Sequence, residues 1–418
     1  MQKAGETMDR EVSFIHAADL HLDSPFKGLR HVPEPIFKEI RESTFTALKA
    51  LVKQAIDLRV DFVLMAGDNF DNAKQSLKAQ IRLRRAFEAL RTYDIMVYIS
   101  YGNHDYINGN THPVTYPDNV FIFPTEEVTS FVHRKNGEKL ARIYGFSYEM
   151  RSVKQKKAAE YKIEDPSIPY HIAMLHGSIQ SNTDHDVYAP FQLSDLQKED
   201  FSYWALGHIH KREILNEHPP IVYPGNIQGR SRREMGEKGC YHVVLSGTQS
   251  EVNFLPLAAI QFSEMTVDVT TCERVHELEQ KIQDALHDHS AAVPQLIDLK
   301  LISDNQVLDE WKKEDLIQDI IDLVNEASIH KKDWQFIFQA DIEVRKSLSD
   351  EILYQGDHFI GELMRVSDNE GIQDYIGELY QQKQARKYVD ALSPEEEKEI
   401  KQAAKELLIN ELLKEEPG

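Results

Sequence analysis

Apolar residues follow two rhythms over the first 260 positions. Residues 12–18, 61–66 and 95–100 are continuous apolar runs of strand length. Between them Ile36, Ile40, Leu48, Leu51, Val52 and Ile56 recur at helical spacing, which predicts a helix over 35–59; a second is predicted over 76–92. Further strand-like runs follow at 120–123, 140–144, 171–175, 203–206, 221–223 and 240–245, with shorter connections. The alternation predicts a layered α/β domain over residues 1–260, a two-sheet β-sandwich flanked by helices. Beyond it the order becomes strand (262–269), helix (273–287), strand (296–302), helix (308–326) and strand (334–342), a small βαβαβ unit over 261–345. From about residue 348 the pattern is helical only. Ser393-Pro394-Glu395-Glu396 opens a helix with a Ser cap, a Pro in the first turn and a Glu that completes a capping box. Its stripe of Ile400, Ala404, Leu407 and Leu408 needs a face to bury against, either within its own domain or on a partner. Residues 346–418 therefore form a C-terminal helical segment.

Composition agrees with several domains. At 418 residues the chain exceeds what one core usually organises, and its 41% hydrophobic and 28% charged content is that of a globular protein. Cys240 and Cys272 cannot build a disulfide framework and form no CxxC pair. Residues 1–12 are polar, unlike a signal peptide, and the apolar runs are too short to cross a bilayer. A soluble, cytoplasmic protein with no membrane partner is expected. The formal charge of −21 argues at first against a polyanionic ligand. It is uneven, however: residues 1–260 carry 31 basic and 33 acidic side chains, and residues 261–418 carry 17 and 36. The acidic back is not the surface that grips nucleic acid.

The chemistry lies where the strands end. Asp19 and His21 follow the first strand, and Asp68 the second. Asn103, His104 and Asp105 follow the third, and His176, His208 and His210 close two later ones. Each cluster alone reads as a turn, but five in order at strand ends converge on the crevice where layered α/β folds bind ligands. The set offers carboxylates, an amide and imidazoles but no thiolate, which suits Mn, Fe, Zn or Mg. Two carboxylates, one amide and four or five imidazoles are too many ligands for one ion and suit two ions sharing a bridging carboxylate. Two divalent cations would make the crevice locally positive, activate water and stabilise charge at phosphorus. Arg230, Arg232 and Arg233, with Lys211 and Arg212 directly after His210, are the expected phosphate contacts, since arginine binds phosphate in a bidentate manner. A solvated basic hairpin is the alternative reading of that cluster.

The motif order D-x-H, G-D, G-N-H-[DE], H and G-H-x-H, over residues 12–260, resembles the calcineurin-like metallophosphoesterases. That resemblance implies that Asp19, His21 and His210 hold one metal and that Asn103, His176 and His208 hold the other, with Asp68 bridging. It makes His104 the residue that stabilises or protonates the leaving oxygen, and Asp105 the group that orients its imidazole. The stretch from Phe14 to Leu22 resembles the opening of SbcD-type DNA repair exonuclease subunits, and residues 184–190 and 224–230 resemble their YhaO-like bacterial branch. The implied activity is a two-metal DNA exonuclease or endonuclease working with an SbcC-like ATPase. Manganese is the first choice of metal, with Mg, Fe or Zn as others. The α/β unit then resembles a capping domain, the C-terminal helices an ATPase-binding segment, and a homodimer through the catalytic domain is a further implication. Asp71 stands where archaeal and eukaryotic relatives carry a histidine implicated in exonuclease activity, so the balance of exonuclease to endonuclease stays open. A phosphodiesterase on nucleotides or other small phosphodiesters, and a non-catalytic subunit binding DNA ends, are the rival readings.

Overall fold

Two six-stranded sheets and one three-stranded sheet organise the chain in a computed structural model. It describes residues 11–29, 31–110, 112–179, 188–304 and 307–344, with helical positions at 366, 396–398, 400–401 and 403–404. In the first sheet β1 (Glu11–Ala17), β2 (Phe62–Ala66), β3 (Met96–Ser100) and β4 (Val120–Ile122) pair in parallel. Helices α1 (Glu34–Asp57) and α2 (Leu77–Arg91) make the first two crossovers. Ser76 caps α2 by accepting the Ala79 N–H at 3.1 Å.

The second sheet contains β5 (Thr129–Lys135), β6 (Glu138–Gly145), β7 (Tyr170–His176), β8 (Tyr203–Gly207), β9 (Glu213–Glu217) and β10 (Pro220–Tyr223) in the strand order β5-β6-β7-β8-β10-β9, and the one-turn helix α3 (Leu193–Leu196) connects β7 to β8. The chain then returns to the first sheet through β11 (Gly239–Ser246) and β12 (Gln249–Pro256), with β11 antiparallel to β1.

Alternation along β1 shows why its residues read as one apolar run. Phe14 joins Phe62, Leu64, Met174 and Tyr203 between the two sheets, whereas its neighbour Ile15 joins Phe45, Leu48, Leu51 and Phe87 under the helices. Both faces are covered, so both carry apolar side chains. Each fully buried Leu or Phe contributes about 1.5–3 kcal/mol.

Three strands were not predicted, and all three are sheet edges: β5, β9 and β12. Their residues are largely exposed or half-buried, so no apolar run marks them. The third sheet follows in order: β13 (Gln261–Asp268), α4 (Val275–Asp288), β14 (Gln295–Ser303), α5 (Val307–Lys313), α6 (Leu316–Ser328) and β15 (Gln335–Val344). The single helix expected over 308–326 is two, broken at Asp315, whose φ of +58° lies outside helical geometry. Phe262, Leu296, Trp334 and Phe336 pack this sheet onto Phe26, Ile36 and Ile40, and Trp334 Nε1 donates to Glu39 at 3.0 Å. All three sheets fall within one compact unit. The expected C-terminal segment, with its Leu407 and Leu408, lies outside the described residues except at the helical positions named above. Among the described residues no helix is long and apolar enough to cross a membrane.

Candidate metal centre

The polar clusters meet beyond the carboxyl ends of β1, β2, β3, β7 and β8. The loops leaving β1 and β2 run side by side: Asp19 N–H donates to Gly67 O and His21 N–H to Asp68 O, at 3.1 and 3.0 Å. Backbone groups of other motifs then hold the carboxylates. His208 N–H donates to both Asp19 oxygens at 3.2 and 3.0 Å, and His104 N–H donates to Asp68 Oδ1 at 2.9 Å. Asp19, His21, Asp68 and His208 all take positive φ, between 41° and 100°. Non-glycine residues in that region carry strain of order 1–3 kcal/mol each, and such strain clusters at functional sites.

His176 is seated between motif glycines. A Cβ on Gly67 would lie 2.3 Å from its Nδ1, and one on Gly102 would lie 2.6 Å from its Nε2 and 2.3 Å from Asp68 Oδ1. Glycine in G-D and G-N-H-D therefore makes room for the fourth motif's imidazole.

The donor set suits cations. Asp19, His21 and His210 bring ligand atoms within 4.8 Å of one another, as do Asp19, Asp68 and His176. Asn103 Oδ1 joins the second group, 3.0 Å from His176 Nε2 and 3.3 Å from His208 Nδ1. Tautomers show which lone pairs face the crevice. His176 Nδ1 donates to Ala66 O at 2.9 Å, so in the neutral ring its Nε2 lone pair faces the Asn103 carbonyl and Asp68 Oδ2, the latter at 3.5 Å. His210 Nδ1 donates to Glu234 at 2.7 Å, which turns its Nε2 lone pair toward His21 Nε2 at 3.1 Å. Acceptors facing acceptors in a buried crevice repel unless a proton or a metal stands between them.

The charge states agree. Burial alone would lower the His176 pKa, but the Asp68 and Asp19 carboxylates outweigh it and push it up to about 9. Burial would likewise raise Asp68, yet the His176 and His21 rings pull it well below the ordinary range. Asp19 is raised, chiefly by burial, and His21 is held well below its usual value by burial, Arg230 and His210. Without metals a proton on His176 offsets one of two buried carboxylates; divalent ions would offset both.

His104 stands at the partly exposed side of the crevice, its ring edge-on to His21 with centroids 4.9 Å apart. Its Nδ1 donates to the Asp71 carbonyl at 2.8 Å, not to Asp105. The orienting role expected of Asp105 is thus corrected. Asp105 is fully buried and accepts N–H groups from Gly102 and Asn69, along with the Asn69 side chain, at 2.7 to 3.0 Å. It braces the loops after β2 and β3, and its pKa is pushed up to about 7 by burial and the Asp68 charge.

The basic residues do not act as one cluster. Arg230 reaches the crevice, but its guanidinium bonds Asp71 at 2.8 Å and Glu234 at 3.3 Å. Arg232 points toward Asp298 of β14 at 3.9 Å, and Arg212 lies over the Phe254 ring, 3.7 Å from its centroid. Lys211 and Arg233 are exposed. Glu234, which holds His210, Arg230 and Asn226, was missed. Its one sequence signal is an acid closing the basic run Arg230-Ser231-Arg232-Arg233, which no periodicity picks out.

A crevice of this ligand chemistry between two mixed sheets defines a metal-dependent phosphoesterase. The family model for calcineurin-like phosphoesterases matches residues 12–212. Over 410 residues, 96% of this chain and 98% of the relative, the chain is 38% identical to a Bacillus subtilis protein named uncharacterized metallophosphoesterase YhaO. The chain belongs to the calcineurin-like metallophosphoesterases. Similarity extends at lower identity to proteins named DNA double-strand break repair protein Mre11. That of Methanocaldococcus jannaschii is 28% identical over 65% of this chain and 73% of its own, and that of Methanococcus maripaludis 23% over 84% and 100%.

Proposed function

We propose that the protein is a two-metal-dependent DNA phosphodiesterase of the SbcD type, acting as an exonuclease or endonuclease in DNA repair with an SbcC-like ATPase. The observation that carries this reading is the convergence of seven ligand-type side chains from five strand ends, with His104 beside them at the open side. Likeness to proteins named for DNA double-strand break repair supports DNA as substrate.

In this reading Asp19, His21 and His210 would hold one ion and Asn103, His176 and His208 the other, with Asp68 as the carboxylate that would serve both. Manganese is the first candidate, with Mg, Fe or Zn as alternatives. When bound, the pair supplies Lewis acidity toward phosphoryl oxygens and a water of lowered pKa. His104 has its Nδ1 proton committed to the Asp71 carbonyl, so Nε2 is the nitrogen left for the substrate. In the imidazolium form Nε2 gives a proton to the departing deoxyribose oxygen. Lys211, Arg212, Arg232 and Arg233 would contact the DNA backbone.

End-labelled duplex and single-stranded DNA, incubated with the full chain and Mn²⁺ with and without the ATPase, tests the proposal. His104→Ala should keep Mn²⁺ binding and lose about 10²–10⁴-fold in cleavage. Undiminished cleavage by that variant would remove His104 from the mechanism. Turnover of nucleotide or other small diesters with DNA left intact would overturn the choice of substrate.

A further inference from the structure

Behind His210 lies a set of charged side chains that none of the five motifs contains. Glu234 Oε1 accepts from His210 Nδ1 at 2.7 Å and from Arg230 Nη2 at 3.3 Å. Its Oε2 accepts from the Arg230 backbone N–H at 2.7 Å and from Asn226 Nδ2 at 2.8 Å. Arg230 Nη1 donates to Asp71 Oδ1 at 2.8 Å, and the Asp71 carbonyl accepts the His104 Nδ1 proton at 2.8 Å. The Arg230, Asp71 and Glu234 side chains are only 16, 17 and 12% exposed. An unbroken ladder therefore runs from His210 through Glu234, Arg230 and Asp71 to His104.

We propose that Glu234 and Arg230 are positioning residues: Glu234 holds His210 in the tautomer whose Nε2 faces the metal, and Arg230 ties that unit to the Asp71 segment that aims His104. The inference rests on the metal-site reading above and not on the identity of the substrate.

Geometry decides the tautomer. Arg230 Nη2 also lies 3.3 Å from His210 Nδ1, and a guanidinium can only donate. If Nδ1 accepted that proton it would confront the Glu234 carboxylate lone pair at 2.7 Å. A carboxylate only accepts, so the shorter contact requires a proton on Nδ1 and leaves Nε2 as the ligand atom. Glu234 also accepts from the Arg230 guanidinium, the Arg230 backbone N–H and Asn226 Nδ2, surroundings that suit a carboxylate.

The guanidinium is suited to the second task. Its planar fork reaches carboxylates on two separate segments at once, which a lysine ammonium on its single flexible stem does not reproduce. The clasp thus keeps His210 and the catalytic imidazole in register.

Glu234→Gln, Glu234→Ala and Arg230→Lys in the full chain test this with two readouts. The first is Mn²⁺ titration by calorimetry, which resolves two binding positions without any substrate. Glu234→Ala should weaken one position roughly 10–100-fold and leave the other within about threefold, with Glu234→Gln between it and the parent because the amide still accepts from Nδ1. The second is turnover of bis-p-nitrophenyl phosphate, a generic phosphodiester. Arg230→Lys should keep both Mn²⁺ affinities within about threefold yet lower kcat about tenfold at unchanged KM, because His104 is misaimed. Equal weakening of both positions in Glu234→Gln, together with a lower metal-free melting temperature, would reduce Glu234 to a fold-stabilising residue. Unchanged Mn²⁺ affinity in Glu234→Ala, or an unchanged kcat in Arg230→Lys, would overturn the clasp. Failure of the parent protein to cut DNA would bear on the proposed substrate alone and would leave these titrations intact.

Discussion

His16 and His21 stand on one strand and the loop it feeds, both without solvent exposure, and they are built into opposite kinds of surroundings. His16 lies between the sheets; its Nε2 donates to Leu206 O at 3.1 Å and its Nδ1 accepts from Tyr203 Oη at 2.9 Å. Every polar atom of the ring is satisfied by a neutral partner, and burial lowers its pKa to about 3. His21 is as buried, but its Nε2 faces another imidazole and its surroundings are carboxylates and histidines. A satisfied buried histidine belongs to the scaffold, whereas one that faces other ligand atoms is waiting for a cation. The difference lies in the partners, since burial and residue type are shared.

The largest effect separating the two regions should come from Asp68→Asn. Removing the carboxylate between the ligand groups should cut phosphodiester hydrolysis by at least about a thousandfold, equivalent to several kcal/mol of metal-assisted stabilisation. The same variant should melt lower than the parent in metal-free buffer, because the buried His176 ring loses the carboxylate that favours its proton. Activity within tenfold of the parent would disprove a central role for Asp68.

Gly102→Ala comes next. Its methyl would press on Asp68 Oδ1 and His176 Nε2, so Mn²⁺ binding should be lost at a stability cost of about 1–3 kcal/mol. Calorimetry and urea unfolding together read both effects, and intact Mn²⁺ binding would show that the His176 seat is not tight.

Metal itself should stabilise the crevice and not the core. Mn²⁺ at a hundredfold excess over Kd should add about 2.7 kcal/mol to the unfolding free energy for each position it fills, and EDTA should remove it. Asp68→Asn should show almost none of this gain, whereas a core variant such as His16→Gln should keep all of it.

The smallest effect concerns acid. His16 has a folded pKa near 3 and an unfolded value near 6.5, so between these the unfolded chain binds one more proton. Stability from this residue is therefore full above about pH 6.5 and is lost as pH falls toward 3. Between pH 7 and pH 5 the loss should reach about 2 kcal/mol, and His16→Gln should show a correspondingly flatter urea-midpoint profile. Parallel profiles for parent and variant would mean that His16 titrates normally in the fold.

Much of this arrangement was legible in the residues themselves. Strands covered on both faces must be apolar throughout, so β1, β2, β3, β7 and β8 announced themselves, and the ligand residues at their ends came with them. The edge strands β5, β9 and β12 did not, because a strand open to water needs no apolar run. Asp105 looked like a support for His104 because the two are adjacent in sequence. Successive residues leave a turn in different directions, and Asp105 turns inward to Asn69 while the Asp71 carbonyl, on another loop, supports the imidazole.

Local pattern by itself determined the layered α/β fold and which ligand-type residues stand at the strand ends, since periodicity and motif chemistry are properties of short stretches. Tertiary structure alone decided which groups stand behind those ligands. Glu234 and Arg230 share the loop before β11, whereas Asp71 and His210 come from two other loops, and the bonds that join the three exist only once the two sheets have brought them to one crevice.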